Sequence, residues 1–188
     1  MARPLLTALA LSVTLLAGAC GSDGSTGTPE SSGGSTKVKI GVIPIVDVAP
    51  IYLGLKQGFF SAEGLDVSLE TAQGGAAIVP GVVSGQYQFG FSNSTSLLLA
   101  TFQGLPLKVV SSGVASTGAA DKDFGGVIVK ADSPIKSAAD LAGKRIAVNT
   151  LKNINTTTVN QVVRAAGGDP SKIEYVELPF PDIAPAYR

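Results

Sequence analysis

Four short polar loops hold the residues of this chain best suited to grip a small solute. "PIVDVAP" carries Asp47; "AQGGAA" carries Gln73, Gly74, Gly75 and Ala76; "SNSTS" carries Ser92, Asn93, Ser94 and Thr95; and "NTLKNINTTT" carries Asn149, Thr150, Asn155, Thr156 and Thr157. Each follows a run that reads as a β-strand and precedes one that reads as a helix. In open parallel sheets a ligand lies beyond the carboxyl ends of the strands, where loops enter helices. Backbone N–H groups at several helix starts, joined by small hydroxyl and amide side chains, suit a compact anion such as a sulfonate or carboxylate without an arginine.

A plain structural role is open to each of these residues as well. Gly74 and Gly75 could only make a tight turn, and Ser94 or Thr156 could only cap the helix that follows. Asp47 would repel a simple anion unless the ligand also carries an amine, or unless it merely caps a helix starting near Pro50. Tyr52 could stack on a flat ligand, but its spacing with Leu55 and Phe59 reads as a core-facing helical stripe. If Asn93 and Thr156 are ligand contacts, replacing either by Ala should weaken binding with the empty protein's stability nearly unchanged; if they are caps, stability falls.

The totals restrict the chemistry further. The 188 residues contain no His and no Trp, and 14 Lys and Arg balance 14 Asp and Glu. Lack of His removes the commonest metal ligand and the usual general base at neutral pH. The even charge gives no sign of a nucleic-acid partner. A single cysteine, Cys20, allows neither an internal disulfide nor a thiolate zinc cage. No cofactor is implied. Abundant Gly, Ala and Val with 15% charged residues is the composition of a folded α/β protein.

Cys20 sits between an apolar run and a stretch without apolar pattern. Arg3 precedes a run from Leu5 to about Ala19, well sized for the apolar region of a secretory signal and short for a membrane span. Residues 1–19 are therefore expected to be a signal peptide. The Gly/Ser/Thr-rich residues Gly21 to Thr36 read as a flexible tether, with a root-mean-square reach of about 20 to 24 Å, so that 20–36 forms an attached linker.

From Lys37 the sequence alternates strand and helix patterns, which favours parallel sheets covered by helices. "KVKIGVIP", "GLDVSLETA", "YQFGFS" and "LPLKVVSSGV" read as strands; "APIYLGLKQGFF", "GGAAIVPGVVSG" and "STSLLLATFQG" read as helices. Pro80 and Gly81 predict that the second of these helices bends or starts late. "ASTGAADKDFGG", Ala115 to Gly126, has the look of a loop or a domain crossing. The alternation then restarts with "GVIVK", "KRIAVN" and "KIEYVEL" as strands and "SAADLAG" and "TTTVNQVVRAAGG" as helices. Ser137 with Asp140 forms a helix N-cap pair, and Gly143 and Gly167 are helix stops. Two α/β units result, 37–120 and 121–188.

These residues also carry a resemblance. "APIYLGLKQGFFSAEGLDVSL", "GGAAIVPGVVSGQYQFGFSN", "GLPLKVVSSG", "DSPIKSAADLAGKRIAVN" and "AAGGDPSKIEYVELPFPDIAPA" resemble, in order and spacing, substrate-binding proteins of ABC importers. The closest branch binds aliphatic sulfonates, nitrate or thiamine-pyrimidine precursors. "LAGAC", Leu16 to Cys20, resembles a bacterial lipoprotein signal in which the cysteine becomes the lipidated first residue, although Ala17 stands where Leu is commoner. Gln88 stands where many relatives carry an acidic residue, a departure that touches a surface turn.

The resemblance implies the two-lobed, type II periplasmic binding protein fold, an α/β architecture of mixed sheets covered by helices. The lobes would close over a solute in the cleft between them, with the closed form sensed by a permease and its ATPase. It further implies a monomer, anchored through lipidated Cys20 on the extracytoplasmic side of a cell membrane. In the family the first lobe is completed by a segment returning from the second; here the chain stops at Arg188, inside an expected helix, which reads as C-terminal truncation with an incomplete second lobe. An alternative reading is a ligand sensor for a membrane partner other than a transporter. Another is the family's enzymatic relative that makes the thiamine pyrimidine, but that enzyme draws on histidine and a cysteine-rich stretch, which this chain lacks.

Overall fold

The structure is a computed structural model that describes residues 34–119 and 122–187. The expected signal peptide, Cys20 and most of the tether lie outside the described residues.

Alternating β-branched residues in "TKVKIGV" produce the central strand, β1 (Thr36–Val42). Its buried Val38, Ile40 and Val42 point to one face, where Ile51, Leu65, Val67 and Leu69 pack against them. The opposite face presents Gly41, whose missing side chain admits the Tyr87 ring and Ile78: a Cβ there would stand 2.9 Å from Tyr87 and 3.0 Å from Ile78. β2 (Leu65–Thr71) pairs with β1 in parallel from Thr36↔Leu65 to Val42↔Thr71. The short β3 (Phe89–Gly90) pairs in parallel on β1's other side, giving the order β2-β1-β3.

Parallel neighbours require crossovers, and the helices supply them. α1 (Ala49–Lys56) and α2 (Phe59–Ala62) link β1 to β2. The expected single helix breaks at Gly58, whose φ of 73° is left-handed and readily adopted by glycine. The inward stripe also differs from the expected one. Ile51 packs on the core while Tyr52 and Phe59 are 44% and 66% exposed. "APIYLGLKQGFF" offers apolar residues at helical spacing on two faces, and buried Val48 ahead of Ile51 decides between them.

α3 (Gly75–Val83) joins β2 to β3 and buries Ile78 in a cluster with Ile43 and Tyr87. It starts at Gly75 and runs through Pro80 rather than starting late. The pyrrolidine ring is exposed and removes one N–H, a turn after the helix start. α4 (Ser94–Phe102) follows β3.

The second sheet is β4 (Arg145–Val148) with β5 (Glu174–Glu177), again parallel, from Arg145↔Glu174 to Val148↔Glu177. α5 (Ile154–Ala165) joins them and buries Val159 and Val163 against Leu141. Gly143 and Gly167 take the left-handed backbone expected of stops, at φ 75° and 82°. "SAADL" forms a 3-10 turn, Ala138–Leu141, with the Asp140 carboxylate accepting from the Ser137 N–H at 2.8 Å and the Ser137 hydroxyl at 2.9 Å. α6 (Phe180–Ala186) ends the described chain, and the Tyr187 hydroxyl accepts from the Lys130 N–H at 3.1 Å.

Every strand pairing among the described residues is parallel. Two expected strands form no ladder. "LPLKVVSSGV" and "GVIVK" have the β-branched composition, yet Val110 and Ile128 are 73% and 65% exposed, with no ladder partner among the described residues. β-branched composition favours a strand only where a neighbouring strand is there to pack against.

Candidate functional site

Because all strands within each sheet run the same way, the loops after β1, β2 and β3 emerge at one edge. The loop after β2 reaches α3 through Gly74 and Gly75, both buried. A Cβ on Gly75 would stand 2.5 Å from Ser92 Oγ and 2.7 Å from Asn93 Nδ2, so the start of α3 touches the start of α4. A Cβ on Gly74 would stand 2.7 Å from both Asn149 Nδ2 and Thr150 Oγ1, so the same turn touches the loop after β4. Glycine is required at both positions by this close approach.

Hydrogen bonds tie the loops together. Asn149 Nδ2 donates to the Gln73 carbonyl at 2.9 Å, and Asn155 Nδ2 donates to Asn149 Oδ1 at 3.0 Å. Asn93 is the N-cap of α4: its Oδ1 accepts from the Ser96 N–H at 3.1 Å. Asn153 is the N-cap of α5, accepting from the Ile154 N–H at 2.8 Å, while its own N–H donates to Thr156 Oγ1 at 3.3 Å. Asn93 Nδ2 donates to Asn153 Oδ1, and Ser96 Oγ donates to the same oxygen at 3.2 Å. Asn149, Thr150, Asn153 and Ser96 are all buried.

One buried polar atom is left over. Ser92 Oγ is shut off from solvent and has no hydrogen-bond partner among the described residues. A buried hydroxyl without a partner is unfavourable, and native proteins satisfy nearly all such groups. It lies beside Gly75, where the starts of α3 and α4 meet. The starts of α3, α4 and α5 all bring main-chain N–H groups to this cluster, a favourable setting for negative charge.

The structure thus gathers Gly74, Gly75, Ser92, Asn93, Asn149, Thr150, Asn155 and Thr156, with Gln73 contributing its main-chain carbonyl. Thr157 turns back on its own helix, its hydroxyl donating to the Asn153 carbonyl at 3.2 Å. Ala76 has no polar side chain and can offer only its main-chain N–H in the first turn of α3, and no hydrogen bond among the described residues ties the side chains of Asp47, Ser94 or Thr95 to the cluster. The capping roles differ from expectation. Asn93 rather than Ser94 caps α4, while Asn153 caps α5 with Thr156 completing the capping box. Asp47 does not cap: it lies within the 3-10 turn Val46–Val48, and neither that turn nor α1 has a side-chain cap.

Sequence reasoning missed Asn153 and Ser96. A signal was present: Asn93-x-x-Ser96 and Asn153-x-x-Thr156 have the same cap spacing recognised in Ser137-x-x-Asp140. A surface concavity of about 590 Å³ bordered by Lys39, Asp66 and Gln88 lies at the beginning of the strands, away from these loops. Gln88 there accepts from the Lys39 N–H at 2.8 Å and steadies the sheet edge. That hollow is wide open and mixed in charge, so the strand-end cluster is the better candidate site.

Two parallel sheets flanked by helices, with polar loops gathered at strand ends, define a layered α/β protein. Its fold is similar to that of the alkanesulfonate-binding protein SsuA from Xanthomonas axonopodis pv. citri, bound to MOPS, with a TM-score of 0.62. That match has 18% identity over 80% of this chain and 50% of the other. The sequence profile described as NMT1/THI5 like matches residues 45–187, and the chain belongs to that family. A curated relative, the formylaminopyrimidine-binding protein of Halalkalibacterium halodurans, is 26% identical over 130 residues, 69% of this chain and 37% of its own length. The chain thus spans between about a third and a half of the proteins it matches.

Proposed function

We propose that this chain belongs to the extracytoplasmic solute-binding component of an ABC importer, holding a small anionic or zwitterionic organic solute at the strand-end cluster. The observation that carries the reading is the meeting of the starts of α3, α4 and α5 around a buried, unpartnered Ser92 hydroxyl. Three sets of helix-start N–H groups supply positive potential, the amides and hydroxyls supply orientation, and Ser92 supplies a hydroxyl with no partner among the described residues, open to an incoming group. The solute class is sulfonate-like, nitrate-like or a pyrimidine precursor, in keeping with the alkanesulfonate-binding and formylaminopyrimidine-binding proteins that the chain is similar to.

The rest of the reading follows from the same family. Residues 37–120 and 121–188 act as parts of two lobes that close over the solute. A permease and its ATPase receive it, and the protein works as a monomer tethered to the membrane through lipidated Cys20. Binding rather than catalysis is favoured because both relatives are named for what they bind. The test is a thermal-shift series on the purified chain with an alkanesulfonate, MOPS, nitrate and formylaminopyrimidine. A true ligand at about a hundred times its Kd raises stability by about 2.7 kcal/mol. A melting temperature unmoved by all four overturns the assigned solute class.

A further inference from the structure

Asn153 is the side chain on which the loops of the two sheets converge. It is 1% exposed, and its Oδ1 accepts from three donors. One, the Ile154 N–H at 2.8 Å, belongs to its own helix. The others, Asn93 Nδ2 and Ser96 Oγ, come from the first turn of α4. Its Nδ2 meanwhile donates to Thr150 Oγ1. A helix cap needs one such bond. A carbonyl oxygen has two lone pairs, so three donors crowd more hydrogen-bonding capacity onto this atom than it can fully serve.

We propose that Asn153 is a latch. In the empty chain its carboxamide oxygen occupies the place where an oxygen of the bound solute would draw the same donors. It thereby holds the start of α4 against the start of α5, and the solute enters by displacing it. The contact itself stands on the geometry alone; the displacement rests on the solute-binding reading above. The Asn149 to Gln73 bond forms a second clasp, from the loop after β4 to the loop after β2, and uses a main-chain acceptor, so it remains when the first is released. Solute then binds only the released fraction of molecules, and apparent affinity is reduced in proportion.

The test uses the full chain with Asn93→Ser, Asn153→Ser and the double substitution. Serine keeps a side-chain oxygen for each N-cap but is too short to bridge the two helices. Hydrogen exchange on the empty chain reads the latch. Each single variant is expected to speed exchange in the first turns of both helices, with the two effects coupled by about three- to ten-fold in the opening equilibrium. Exchange that quickens only in the substituted residue's own helix overturns the latch and leaves the solute-binding reading intact. Stopped-flow mixing with MOPS and with formylaminopyrimidine then reads displacement, where Asn153→Ser should raise the association rate several-fold. An unchanged rate in a variant that still binds overturns displacement. Parent chain that binds neither solute overturns both the solute reading and the displacement, while the exchange result still decides the clasp. Should Asn153→Ser fail to fold, Asn93→Ser removes the same bond from the other side.

Discussion

Asn149 donates from its side-chain amide to the main-chain carbonyl of Gln73 at 2.9 Å, across 76 residues of sequence. This one bond sets the end of β4 over the turn that begins α3, and it explains why Gly74 in that turn carries no side chain. Asn149 is 2% exposed, so its amide has no room to retreat.

Substituting Gly74 or Gly75 by Ala should therefore damage the protein out of proportion to one methyl group. The added Cβ would meet Asn149 and Thr150 at 2.7 Å in the first case, and Ser92 Oγ at 2.5 Å in the second. Overpacking of this kind costs about 1–3 kcal/mol. Gly126, which has nothing within 4 Å, is the control. Chemical denaturation should show both site variants destabilised and Gly126→Ala unchanged.

Asn93→Ala should lower the stability of the empty chain by about 0.5–2 kcal/mol, the usual loss for an N-cap. Asn93→Ser should recover most of that. The bond that Asn93 Oδ1 accepts from the Ser96 N–H favours the capping outcome of the two set out for this substitution. A melting curve for Asn93→Ala superimposable on the parent's would remove the capping role.

Asp47→Asn should leave stability within about 0.5 kcal/mol, because no hydrogen bond among the described residues depends on its carboxylate. Binding should respond instead. Removing the negative charge raises affinity for a pure anion such as an alkanesulfonate and lowers it for a solute carrying an amine. Calorimetric titration with one of each reads the sign, and no change with either would remove Asp47 from the site.

Acid should weaken the second sheet's entrance through Asp140 and Asp169. The Lys136 N–H, the Ser137 N–H and the Ser137 hydroxyl hold the Asp140 carboxyl below its ordinary value of 3.8. The Ser171 hydroxyl and N–H do the same for Asp169. A carboxylate lowered in the folded state contributes stability that is present above the ordinary value and is lost as pH falls through the lowered one. The melting-temperature gap between the parent and Asp140→Asn should be constant from neutral pH to about pH 5 and close below about pH 4. A gap that persists at lower pH would refute the assignment.

Where local pattern and tertiary packing agree, the fold was legible from residues alone. β1, β2 and α5 fall on the expected runs because their alternation or helical spacing matches the face that becomes buried. Tyr52 shows the limit: its stripe and the Ile51 stripe share one helix, and only the position of the sheet selects between them. "LPLKVVSSGV" and "GVIVK" show another limit, since a strand is defined by its neighbour. At the site, residue types in strand-end loops pointed to Gly74, Gly75, Ser92, Asn93 and Asn149. Asn153 escaped because its importance comes from partners 57 and 60 residues away rather than from its own neighbourhood.

The order in which the chain leaves the ribosome acquires a meaning from the central place of β1. Its two partners are complete by Gly90, so the first sheet can assemble while the second is still being synthesised. Asn93 and Ser96 emerge with it and wait through some 60 residues for Asn153. During that interval the start of α4 presents two donors to solvent with nothing yet across from them. The cluster closes only once Asn153 has been made, so its correct closure reports that the polypeptide has reached the start of α5.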